Sequence, residues 1–101
     1  MASRLSLQTF LENLIKSPNV YFDPPPSLDM GYDAIRYSRK SIDKVHANNS
    51  TYGLRTPYEL TVISRNAESP IIALLLQLPY CSHDRHYKAD NLHHDVFTLY
   101  Y

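Results

Sequence analysis

From His94 to Tyr101 the residues alternate as a strand requires, with Asp95, Phe97, Leu99 and Tyr101 on one side and His94, Val96, Thr98 and Tyr100 on the other. β-branched and aromatic types dominate this run, and they fit a pleated, half-buried surface. Two large rings at Tyr100 and Tyr101 call for cover from the core or from a neighbouring subunit, so the chain is expected to end inside its sheet. Just upstream, Tyr87-Lys88-Ala89 reads as a short strand. Asp90-Asn91-Leu92 reads as a turn, because Asp and Asn tolerate turn conformations and bond their own backbone. Any fold for this chain must therefore accommodate a C-terminal hairpin.

The preceding chain supplies partners for that hairpin. Leu7, Phe10, Leu11, Leu14 and Ile15 recur at helical spacing, with Arg4, Gln8, Glu12 and Lys16 on or near the other face. They predict an amphipathic helix of about three to four turns, ended at Ser17-Pro18 because a residue before proline avoids the helical region. Val20-Tyr21-Phe22 follows as a very short strand running into Asp23-Pro24-Pro25-Pro26, a stiff surface or sheet-edge connector that lacks proline backbone donors. Ala34 to Arg39 alternates as a strand with Ile35, Tyr37 and Arg39 on one face, and it extends on this reading through Ile42 into Val45. His46 to Pro57 has the Asn, Ser, Thr, Gly and Pro content of a long loop. Tyr58 to Ser64 returns as a strand, with Tyr58, Leu60 and Val62 on one face. Ser69 as N-cap and Pro70 at the first position begin a helix of about two turns through Leu78. That helix is apolar nearly all round, so it is expected to be buried on more than one side, by the sheet and by the first helix or another subunit. The resulting order, α-β-β-β-α-β(hairpin), is an α+β fold: one domain over residues 1–101, a mostly antiparallel sheet of four to five strands with two helices packed on it.

Composition narrows the function classes. At 101 residues the chain is large enough for a single core but leaves a substantial fraction of its apolar surface hard to cover, a size at which partners help. Ten basic and ten acidic residues cancel, so no overall field draws the molecule to nucleic acid or to an anionic membrane. The single cysteine, the lack of a long apolar run and the lack of a signal-type start suggest a cytosolic compartment, where the sequons in Asn48-Asn49-Ser50-Thr51 have no meaning. With only Gly31 and Gly53, no glycine-rich phosphate loop can form.

Cys81, His83, Asp84, His86, His93 and His94 raise the question of a metal. Their spacing argues against one: His93 and His94 point to opposite faces of a strand, and at most His83 or His86 and one of that pair converge across the hairpin. A lone cysteine after an apolar helix reads as a small buried hydrophobe rather than a nucleophile. Asp84-Arg85 reads as an ion pair fixing a turn, and Arg36, Arg39, Lys40 and Lys44 with Tyr37 are the only candidates for a basic, aromatic face. No carboxylate pair falls at a helix or strand period. The expectation is a non-enzymatic interaction or assembly module without catalytic, cofactor or metal residues, whose nine tyrosines supply amphipathic contact surface.

Asn19 to Pro25, Asp33 to Tyr37, Tyr58 to Ile63, Leu78 to Tyr87 and Ala89 to Tyr101 together resemble a family of small proteins encoded in the head-to-tail gene cluster of long-tailed phages and prophages of Gram-positive bacteria. The order of elements is also similar to that of phage tail-terminator and tail-completion proteins. The resemblance implies a structural protein of the virion neck, assembled in the host cytoplasm. It implies a ring, commonly of six copies, that caps the tail tube and docks to the head-completion or stopper protein of the connector, with DNA passing unread through the lumen. Pro24, Pro25, Pro26, Tyr52, Leu54, Arg55, Tyr80, Arg85, Tyr87 and Tyr101 are then the interface candidates. A head-side adaptor or stopper and a metal-binding or regulatory interaction module are the alternatives.

Overall fold

The computed structural model describes residues 4–25, 31–40 and 56–101. Pro26, Tyr52, Leu54, Arg55, the strand extension through Ile42 to Val45 and most of the long loop expected after it lie outside the described residues. The elements are α1 (Arg4–Ile15), β1 (Val20–Phe22), β2 (Ala34–Arg39), β3 (Pro57–Ser64), α2 (Pro70–Leu76), β4 (Cys81–Ala89) and β5 (Leu92–Tyr100). Five strands form one sheet in the order β1-β2-β3-β5-β4. All neighbours are antiparallel except β1 and β2, which run parallel, so the α+β architecture expected from the sequence is the one observed.

Helix α1 forms where the apolar spacing places it. Leu7 and Leu11 are fully buried, Leu14 and Ile15 pack against the core, and Phe10 sits half-exposed at the edge of the stripe. The helix closes through Lys16, which takes a left-handed conformation at φ 55°, and Ser17 N–H then donates to Glu12 C=O at 3.1 Å. That bond is the Schellman closure, followed by Pro18, which bars continuation. Gln8 departs from the expected solvated face. Its Nε2 donates to Val20 C=O at 2.8 Å and its Oε1 accepts from Tyr37 Oη at 2.6 Å, which ties α1 to the β1 edge.

Both helices lie on the sheet face carrying Ile35, Tyr37, Tyr58, Leu60, Val62, Phe97 and Leu99, and Leu7, Leu11, Ile71 and Leu75 complete that core. Helix α2 begins as the sequence requires, with Ser69 Oγ accepting from Ile71 N–H and Pro70 at the first position. The sheet covers one side of α2. Ile71 and Leu75 are buried against the sheet, whereas Leu76 is 55% exposed within this chain. A helix this short buries only residues one turn apart on its inner side.

The C-terminal hairpin is longer than its sequence suggests. β4 begins at Cys81 rather than near Tyr87 and spans nine residues, although most of its side chains are exposed. Asp90 and Asn91 form the two-residue turn with φ 53° and 62°, the left-handed pair that matches the twist of the flanking strands. Asp84-Arg85 is therefore no turn. These residues lie at a register shift between His83 and Arg85, where Asp84 is the extra residue of a β-bulge. Asp84 accepts from Thr98 Oγ1 at 2.6 Å, and the Arg85 guanidinium lies 5.8 Å from the Tyr87 ring centre.

Candidate functional site

The interface candidates fall in separate places. Tyr80 and Tyr101 line one apolar cavity of about 160 Å³ with Phe10, Leu78, Leu99 and Tyr100, between α1, the end of α2 and the last strand. The Phe10 and Tyr101 rings are 5.8 Å apart, and Tyr101 Oη is 2.8 Å from Ser6 Oγ, so α1 is joined to the C-terminal strand by both apolar and polar contact. Arg85 and Tyr87 belong to the opposite sheet face, where Tyr87 stacks on His94 with ring centres 4.7 Å apart and planes at 13°. Pro24 borders a polar depression of about 320 Å³ with Asp23, Arg36, Ser38, Glu59 and Thr61, and Pro25 is exposed beside it.

Among the described residues the basic candidates Arg36, Arg39 and Lys40 form no common surface; Lys44 lies outside them. Strand alternation sets Arg36 and Lys40 on one face of β2 and Arg39 on the other. Glu59 and Asp23 flank Arg36, and Lys40 Nζ donates to Thr98 Oγ1 at 3.1 Å.

The convergence of His86 and His93 across the hairpin was expected; what the sequence missed is the carboxylate at the centre of this cluster, on the helix-bearing face. Asp95, next to the core residue Phe97 on the same face, is 6% exposed. Its Oδ1 lies 3.0 Å from His83 Nε2 and 2.9 Å from His86 Nδ1, and a carboxylate oxygen accepts, so both imidazoles donate to one atom. His93, two residues before Asp95 on β5, places Nδ1 3.3 Å from His86 Nε2. His86, with Nδ1–H committed to Asp95, presents its Nε2 lone pair to His93 Nδ1–H in the neutral form of the chain.

His83 and His86 are three apart, a spacing that puts side chains on opposite faces of a regular strand. The extra residue at Asp84 cancels that alternation: His83 pairs with Phe97 and His86 with Asp95, both on the helix-bearing face. The ring of His83 then meets Phe97 edge-on, with centres 5.0 Å apart and planes at 82°. So the sequence argument that only one of these two histidines joins the cluster is overturned by a bulge. Its only trace in the sequence is a polar run without alternation.

Comparison with protein-family models, with curated proteins and with solved structures finds no match to this chain. Function therefore rests on the chain's own chemistry. Among the described residues no group of three or more His, Cys, Asp and Glu side chains is arranged to hold a metal ion. Burial, with the Asp84 carboxylate second, pushes the Cys81 thiol up to about 11, so at neutral pH it is protonated and a poor nucleophile. Cys81 packs against the core, as the sequence suggests for a small hydrophobe. No described helix is long and apolar enough to cross a membrane.

Proposed function

We propose that this chain is a structural subunit of a phage neck, a tail terminator whose copies close into a ring on the tail tube and offer a docking surface to the connector protein above. The observation that carries this reading is the large apolar surface left exposed on a small domain. Phe10 and Leu76 stay 36% and 55% exposed and Leu5 66% exposed, and Tyr80 and Tyr101 open an apolar cavity beside Phe10. Large apolar side chains at the surface, interleaved with tyrosines, are what subunit contacts use. In a rotational ring one patch meets a different patch of the next copy, and exposed leucines together with an aromatic cavity suit such head-to-tail contact. The neutral charge balance agrees with a lumen through which DNA passes without being read.

Light scattering on the purified protein, alone and with isolated tail tubes, tests the reading. A ring in solution, or a monomer that becomes a ring on tube ends, supports it. A monomer indifferent to tubes overturns it.

A further inference from the structure

We propose that His86 and His93 form a two-imidazole half-site for a divalent transition-metal ion of the zinc class, independent of any role in assembly. His86 Nε2 and His93 Nδ1 lie 3.3 Å apart. Zinc–imidazole bonds of about 2.0–2.1 Å place two nitrogens of a tetrahedral site about 3.3–3.4 Å apart, so the pair already spans one edge of the coordination polyhedron. The ring centres are 5.3 Å apart, and the planes differ by 36°. A small rotation of each ring turns both lone pairs from the line between the nitrogens toward a common point beside it.

The second component is already present. His86 Nδ1 donates to the carboxylate of Asp95, whose side chain is 8% exposed. A ligating imidazole backed by a buried carboxylate is held in one tautomer and one ring orientation, the arrangement that surrounds metal-binding histidines generally. Asp95 is thus a positioning residue, and His83, whose Nε2 is turned to the same carboxylate oxygen, braces it from the other side. The His86 side chain is 41% exposed, so the pair faces solvent and leaves the remaining coordination positions to water. Lys88, the cross-strand partner of His93, is exposed to solvent, which screens its charge.

Binding requires one proton to move. The hydrogen on His93 Nδ1 is exchanged through solvent for one on Nε2 of the same ring, which frees Nδ1. The ion then binds two neutral imidazoles, with no net proton release from a neutral pair. Imidazole suits zinc, nickel and copper, while calcium and magnesium call for a set of oxygen ligands that two imidazoles do not supply.

Titration with zinc chloride at pH 7.5, followed by NMR of the imidazole nitrogens, tests the site. Saturable shifts are expected at His86 and His93, with His83 nearly unmoved. His93→Ala and His86→Asn each weaken zinc binding by at least about tenfold with the backbone amide spectrum otherwise retained, and Asp95→Asn weakens it by about 10- to 100-fold. His83→Ala changes it by less than about threefold, since that ring supplies no ligand. Absence of a saturable shift up to about 1 mM zinc, an affinity too weak to matter, overturns the proposal. So does binding that survives unchanged in both His86→Asn and His93→Ala.

Discussion

Asp33 stands just before β2, and its two carboxylate oxygens accept from different parts of the chain, Oδ1 from Ser64 Oγ at 2.8 Å and Oδ2 from Ser69 Oγ at 2.9 Å. Ser64 ends β3 and Ser69 caps α2, so one side chain fixes the sheet, the connection and the helix start together. Asp33→Ala removes two charge-assisted bonds and leaves two hydroxyls to find new partners. The expected loss is about 2–3 kcal/mol, read as a lower urea midpoint at unchanged slope. Cys81 gives a second prediction at this scale. Its thiol rises from 9.0 to about 11 on folding. Below pH 9 the thiol is protonated in both states; between pH 9 and about 11 the unfolded thiol ionises first, so the stability it contributes is lost as pH rises through that window. Thermal melts across that range should fall less steeply for Cys81→Ala, and iodoacetamide at pH 8 should alkylate the native protein more slowly than a free cysteine. Sequence reading found the apolar side chains because burial follows periodicity. It missed Gln8, Asp33 and Asp95 because the partners that hold them lie 9 to 36 positions away and leave no local pattern.

Among the elements, both helices and the three strands before α2 were legible, since each carries a period that matches its geometry. β4 was not. It runs Cys-Ser-His-Asp-Arg-His-Tyr-Lys-Ala along an edge of the sheet, where neither face demands alternating apolar residues, and its bulge hides what alternation remains. The same bulge, with the charges of Asp84, Arg85 and Lys88, blunts an edge that would otherwise invite a further strand. Lys16 shows a different gap between sequence and element. The C-terminus of α1 needs a left-handed residue and has a lysine there, at φ 55°. Lys16→Gly removes the Cβ penalty, offset in part by the greater freedom of glycine in the unfolded chain, for a net gain of about 0.5–1 kcal/mol. Calorimetry should show the midpoint rising by a few degrees, while Lys16→Val should lower it.

For the whole molecule, the sequence indicated two layers and the position of the core, but it could not show how much apolar surface one copy leaves uncovered. Leu5 and Leu76 report that surface, and neither belongs to the buried core. The double variant Leu5→Lys, Leu76→Lys should keep the native melting temperature within a few degrees, because exposed positions contribute little to stability. If the exposed leucines join copies, the same variant should remain a monomer in light scattering where the native chain forms rings, and a variant that still assembles would remove this surface from the contact. The order β1-β2-β3-β5-β4 also sets a timetable. β5 sits between β3 and β4, so when residues up to about 64 have left the ribosome, β3 has β2 on one side and an open, strongly apolar edge on the other. That edge stays unpaired until the nascent chain has emerged through Tyr100, and slow synthesis across this interval is when aggregation competes most strongly with folding.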